Sequence, residues 1–153
     1  MTPPCWLTRS AEQAIRAEAA RHPDEETGGL LLGYCSPDGS VVIADATGPG
    51  PRARRTRDSF HPDIAWQRQE VAQRYAASGR INTYLGDWHT HPRGVLLLSS
   101  TDRRTLRRIA QTAKARAPHA LMAVLAPDAE GSLAVWQHRG RLRPPRRLAW
   151  AAL

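Results

Sequence analysis

The sequence predicts an α+β fold, a central and mostly antiparallel sheet flanked by about three helices, within a single domain spanning residues 1–153. Three observations predict it. Short apolar runs occur in pairs around turn signals, as at 27–34 and 40–46 about Ser36-Pro37-Asp38-Gly39, which is the pattern of an antiparallel hairpin. Three longer stretches, 11–22, 63–77 and 99–117, repeat apolar residues at helical spacing instead. A chain of 153 residues is also of ordinary size for one hydrophobic core.

Ser10-x-x-Gln13 reads as a capping box opening the first helix over 11–22, with Ala14, Ile15 and Ala19 as its apolar stripe and Pro23 as its stop. Residues 27–34 follow as a buried strand, and the turn returns the chain as a second strand over 40–46. Gly48-Pro49-Gly50-Pro51 breaks regular structure, and the Arg-rich stretch to Ser59 reads as a mobile loop. Ile64, Trp66, Val71 and Tyr75 mark the second helix over 63–77, stopped near Gly79. A strand over 81–88 carries two histidines at its end, 92–98 is a loop with three leucines, and Leu106, Ile109, Ala110 and Ala113 form the apolar face of the third helix. An apolar strand over 119–126 turns at 128–131 into a partner at 133–137, and Gly140 permits a last short strand through Leu142.

Composition narrows the function classes. No apolar run approaches the roughly 18–20 residues of a membrane span, so no membrane partner is expected. Met1-Thr2-Pro3-Pro4-Cys5-Trp6 lacks the basic start and apolar stretch of a signal peptide, which makes the cytoplasm the expected compartment. Cys5 and Cys35 have no Cys-x-x-Cys spacing, so neither a disulfide framework nor a cysteine metal site is indicated, and Cys35 reads as a small core or edge residue. The net charge of +8 is nearly all arginine, because Lys114 is the only lysine. Two explanations stay open: a compositional preference for arginine, or a positive field that attracts an acidic partner. No recognition helix, RNA-stacking motif or Cys/His finger accompanies the charge, so nucleic acid is not an expected partner.

The chemistry concentrates in His89-Thr90-His91-Pro92 and Ser99-Ser100-Thr101-Asp102. Residues i and i+2 of a strand point the same way, so both imidazoles can face one ion, and Pro92 ends the strand there. Asp102 lies eleven positions after His91, where Ser99-x-x-Asp102 also reads as a helix cap with an acid at its third position. Two histidines and a carboxylate are zinc-ligand types, and three such ligands with one open position suit a hydrolytic zinc. Glu26 lies 63 positions before His89, at the mouth of the first buried strand. It reads either as a solvated member of Asp24-Glu25-Glu26 or as a base placed beside the histidines. Trp88 alternates with His89, so it should face the opposite side and enter the core.

Glu26-Thr27-Gly28-Gly29-Leu30-Leu31-Leu32-Gly33, Asp87-Trp88-His89-Thr90-His91-Pro92 and, seven residues later, Ser99-x-x-Asp102 together resemble the signature of the JAMM (JAB/MPN) zinc metalloproteases. The compact form with Gly-Pro-Gly-Pro resembles the bacterial JAB branch associated with ubiquitin-like modification systems. The resemblance implies a JAB/MPN-like sandwich and one catalytic Zn2+ held by His89, His91 and Asp102. It implies Glu26 as the acid/base that activates water and later protonates the departing nitrogen, and Ser99 as the donor to the oxyanion. His119 and His138 lack cysteine partners, so a second, structural zinc is not expected.

The implied activity is cleavage after the C-terminal Gly-containing tail of a ubiquitin-like protein, in deconjugation or precursor maturation. The implied partners are a ubiquitin-like protein or its conjugates and ubiquitin-activating or conjugating-like enzymes of the same operon, including antiphage defence operons. The stretch 48–59 and Leu96, Leu97 and Leu98 are candidates for gripping the tail, although the leucines read equally well as core plugs. Two other functions stay open: a JAB peptidase that processes a sulfur-carrier protein or small peptide, and a basic, non-catalytic zinc-binding interaction module.

Overall fold

A computed structural model describes residues 4–126 and 132–153, so the turn expected over 128–131 lies outside the described residues. The elements run β1 (Cys5–Leu7), α1 (Arg9–Arg21), β2 (Gly28–Cys35), β3 (Val41–Ala46), β4 (Arg54–Arg55), β5 (Phe60–His61), α2 (Ile64–Ala77), β6 (Thr83–Thr90), α3 (Ser100–Gln111), β7 (Leu121–Ala126), β8 (Ser132–Gln137), β9 (Arg146–Leu148) and β10 (Trp150–Ala152). Eight strands form one sheet in the order β10-β1-β3-β2-β6-β7-β8-β9, and β4 pairs with β5 apart from it. β1 is parallel to both β3 and β10, and β6 is parallel to β7; the other neighbours in the sheet are antiparallel. Three helices against this mixed sheet make the expected α+β fold.

Four local expectations are corrected. The first helix starts at Arg9, and its cap is Thr8 rather than Ser10. β1 runs to Leu7, so the helix begins where the extended backbone ends; Thr8 keeps that geometry and its Oγ1 accepts the N–H of Ala11. The Arg-rich stretch contains the β4–β5 hairpin, with Arg54 opposite His61 and Arg55 opposite Phe60. The third helix ends at Gln111, because Thr112 turns to ψ 110° and Arg116 takes a left-handed φ of 52° just ahead of Pro118. No strand forms up to Leu142: Pro144 and Pro145 have no N–H for a ladder, and pairing resumes after them in β9 on β8 and in β10 on β1.

Parity along β6 divides the molecule into two cores. Trp88 pairs with Ala123, and His89 with Val124. Trp88 and Ala123 join Ala11, Ile15 and Ala19 of α1 in one buried cluster, whereas Val124 and Met122 join Leu98 and Leu106 beside α3 in another. Trp88 is 1% exposed, as expected of a core residue, and its Nε1 donates to the Thr47 carbonyl at 2.8 Å. Period two then places His89 on the α3 face. Cys5 is buried and Cys35 is exposed at the end of β2. Among the described residues no helix is long and apolar enough to cross a membrane.

One charge is buried on the α1 face. Glu18, 5% exposed, receives Thr27 Oγ1 at 2.8 Å and Arg55 Nη2 at 2.8 Å on one oxygen, and Arg21 Nη2 at 2.7 Å on the other. Burial alone pushes its carboxyl up, but the bonds from Arg21, Thr27 and Arg55 outweigh burial and hold it below the usual glutamate range. A carboxyl with a depressed folded-state pKa adds stability above its unfolded pKa, about 4.3, and loses it as pH falls through the folded value. Glu18→Ala should therefore lower the unfolding free energy at neutral pH by about 1.5–3 kcal/mol, the scale of a hydrogen bond to a charged group, and the deficit should shrink as pH drops below about 4. Urea titrations across that range check it; a deficit independent of pH contradicts the assignment.

Candidate metal centre and active site

Two backbone pairings bring the site together. β2 lies antiparallel on β6 with Gly28 opposite His89. Beyond the last strand pair, Thr90 N donates to the Thr27 carbonyl at 2.8 Å and Thr27 N to Thr90 Oγ1 at 3.0 Å. Continuing that register sets Glu26 opposite His91, on the face shared by the imidazoles. Gly28 has to be glycine there: an added Cβ would stand 2.2 Å from the Trp88 carbonyl and 2.6 Å from the Phe60 ring. His91, just past β6, donates its N–H to the Leu125 carbonyl of β7 at 2.8 Å, so it too is held by the sheet.

Asp102 arrives from the start of α3. Ser99 caps that helix: its Oγ accepts from Asp102 N at 3.0 Å, and Asp102 Oδ2 accepts from Ser99 N at 2.9 Å. The expected capping box and the expected carboxylate ligand are thus one arrangement. His89 Nε2 and His91 Nε2 lie 2.9 Å apart, and Asp102 is 3.2 Å from each, through Oδ1 to His89 and Oδ2 to His91.

The donor set fits a metal. His91 Nδ1 donates to the Val95 carbonyl, which fixes the tautomer and leaves Nε2 with a bare lone pair. Two imidazole nitrogens and a carboxylate then converge at separations that a shared proton or a shared cation can bridge. Three donors about 2.0–2.1 Å from a tetrahedral ion such as zinc stand about 3.3 Å apart, close to the separations found here. His89, His91 and Asp102 form the one group of potential metal donors among the described residues. For protons in place of a metal, the Asp102 carboxylate raises the His91 imidazole above its usual range, against burial. Burial opposes ionisation of Asp102, but hydrogen bonds to His89 and His91 hold it far below the carboxylate range. A divalent ion bound by these donors would replace those protons.

Glu26 and Ser99 line the same cavity of ≈ 730 Å³ as the three donors. Burial raises the Glu26 carboxyl above the usual range, with His89 as the leading opposing charge. A carboxyl in the same cavity as the three donors is placed to take and return a proton. Phe60 and Arg57 of the 48–59 region and its hairpin also face the cavity. Leu98 is buried beside Leu106, which makes it a core plug, whereas Leu97 is exposed.

Two cavity residues escaped the sequence reading. Asp87 shares the face of His89 and accepts Tyr84 Oη–H at 2.6 Å, and burial raises its carboxyl. Its position two residues before His89 was the available signal. The Val95 carbonyl had none, because any residue type supplies a backbone oxygen.

Residues 8–139 match the family of prokaryotic homologs of the JAB domain. The chain belongs to that family. This JAB chain is 44% identical over 121 residues to a probable metalloprotease, y4qB, of Sinorhizobium fredii, covering 78% of this chain and 74% of that protein. It is 30% identical over 130 residues to a CD-NTase/cGAS isopeptidase of Enterobacter hormaechei, covering 82% and 69%, and 31% identical over 87 residues to a protein of that name from Vibrio cholerae, covering 57% and 55%. The solution structure of a protein from Desulfitobacterium hafniense superposes with a TM-score of 0.70 at 16% identity over 97% of this chain and 92% of that one, which shows a shared fold. The family, these relatives and the donor cluster support peptidase chemistry with a metal ion at this site.

Loading with metal at 100 times its dissociation constant should stabilise the protein by about 2.7 kcal/mol, and a chelator should reverse the rise in Tm. Asp102→Ala or His91→Ala should lower bound metal well below one ion per chain by plasma emission. Full metal content in either variant contradicts the assigned donors.

Proposed function

We propose that residues 1–153 form one zinc peptidase domain that cleaves after the C-terminal Gly-containing tail of a ubiquitin-like protein, as an isopeptidase or in precursor maturation. The observation that carries this reading is the single cavity shared by Glu26, Ser99 and the His89–His91–Asp102 cluster. Zinc, when bound, supplies Lewis acidity that polarises a carbonyl and brings the pKa of water near 7. His89, His91 and Asp102 would hold the ion. Glu26 takes a proton from the attacking water and delivers it to the nitrogen as the C–N bond breaks, so its carboxylate is regenerated each turnover. Ser99 Oγ accepts the Asp102 amide and therefore keeps its own O–H to donate to the oxyanion of the tetrahedral intermediate.

Isopeptide-bond cleavage is supported by the two relatives named CD-NTase/cGAS isopeptidase. Phe60 of the β4–β5 hairpin lines the same cavity as the metal donors, where an extended glycine tail could lie. A cytoplasmic role beside ubiquitin-like conjugating machinery, including in antiphage defence, belongs to the same proposal.

The test is cleavage of candidate ubiquitin-like proteins, each extended at its C-terminus by a reporter peptide. Zinc-loaded protein should release the reporter and chelator should stop it. Glu26→Gln should lower kcat by at least about 10²-fold, within the range general acid–base catalysis contributes, while keeping the metal. Turnover by Glu26→Gln at the parent rate removes Glu26 from the chemistry; loss of its zinc makes it a ligand instead.

A further inference from the structure

A closed set of hydrogen bonds lies on the opposite face of the sheet from the site. Glu18, Thr27 and Arg55 close a ring of hydrogen bonds: Thr27 Oγ1 donates to Glu18 Oε1 at 2.8 Å, Arg55 Nη2 donates to the same oxygen at 2.8 Å, and Arg55 Nε donates to Thr27 Oγ1 at 3.1 Å. The ring joins three elements far apart in the chain, namely α1, the strand mouth that carries Glu26, and the β4–β5 hairpin. None of its side chains lines the cavity.

We propose that Glu18, Thr27 and Arg55 are positioning residues that fix Glu26 against the two histidines. Thr27 immediately follows Glu26, and its N–H and carbonyl are bonded to Thr90, the residue between His89 and His91. Arg55 immediately precedes Thr56, whose carbonyl accepts the N–H of Glu26 at 2.8 Å. The Glu26 backbone is thus gripped on both flanks by residues that converge on one carboxylate oxygen of Glu18. With Glu18 absent, Thr27 and Arg55 lose their common acceptor and their tie to α1, and only the Arg55 Nε–Thr27 Oγ1 and Glu26 N–Thr56 carbonyl bonds still join hairpin to strand mouth. A misplacement near 1 Å can cost about 10²-fold in rate. Glu18 and Thr27 are buried and Arg55 is half-buried, whereas an arginine retained for solubility alone has no need of a partner 5% exposed.

The proposal rests on Glu26 acting as the base, and its test includes a readout independent of turnover. Thr27→Val preserves shape and removes both hydroxyl bonds, and Arg55→Lys keeps the charge but cannot hold Glu18 and Thr27 together. Glu18→Gln keeps the Oε1 acceptor and should be milder than Glu18→Ala. In metal-free folded protein, amide hydrogen exchange at Glu26, Thr27 and Thr90 should quicken at least about ten-fold in Thr27→Val and Arg55→Lys, with Val135 in β8 unchanged. In zinc-loaded protein, kcat on a cleaved reporter fusion should fall about 10²-fold with KM and zinc content near parent values. Parent-like exchange and kcat in both folded variants overturn the proposal, as does a fall in kcat explained wholly by lost zinc. If the parent cleaves no fusion, the peptidase reading fails, and exchange at Glu26, Thr27 and Thr90 decides the positioning claim alone.

Discussion

Glu26 lies just before β2 and the two histidines at and just past the end of β6, more than sixty residues away, and they meet because β2 is locked to β6 with Gly28 opposite His89. A one-residue slip in that pairing would turn His89 and His91 toward α1 and bring Trp88 out of the core it fills. The same alternation that buries the tryptophan therefore aims the imidazoles. Apolar burial and metal chemistry share one register, and the core clusters on the two faces of the sheet protect it.

The third donor comes from a helix start, and the physics of that position favours it. Helix N-termini carry partial positive charge and unpaired N–H groups, which stabilise a carboxylate. Asp102 satisfies the Ser99 amide with Oδ2 and remains within reach of both imidazoles. Its side chain is pinned before any ion arrives. The Val95 carbonyl does the same for His91 by fixing its tautomer. Preorganisation of this kind lets a site bind metal without first ordering flexible side chains.

The site was legible because its chemistry requires particular residue types at particular periods. Two histidines at strand spacing and an acid in a capping box survive as patterns whatever surrounds them. Trp88 was legible for the same reason, by alternation. The short outer strands β1, β9 and β10 were not, because three residues carry no periodicity and their pairing is non-local. The β4–β5 hairpin was hidden within an arginine-rich run that reads as solvated chain. Glu18 was missed because a glutamate on an amphipathic helix is expected in water; only the tertiary arrangement of Thr27, Arg21 and Arg55 makes its burial tolerable. Sequence also cannot separate Arg55, which has a buried partner, from neighbours that have the same composition and different surroundings.

X-ray absorption at the zinc edge of the loaded protein in solution tests the central claim most directly. The account predicts four light scatterers at about 2.0–2.1 Å, two of them showing the outer-shell scattering of imidazole rings. Loss of one imidazole contribution in His89→Ala should accompany that pattern. A sulfur scatterer near 2.3 Å, or a spectrum unchanged by that substitution, would contradict it.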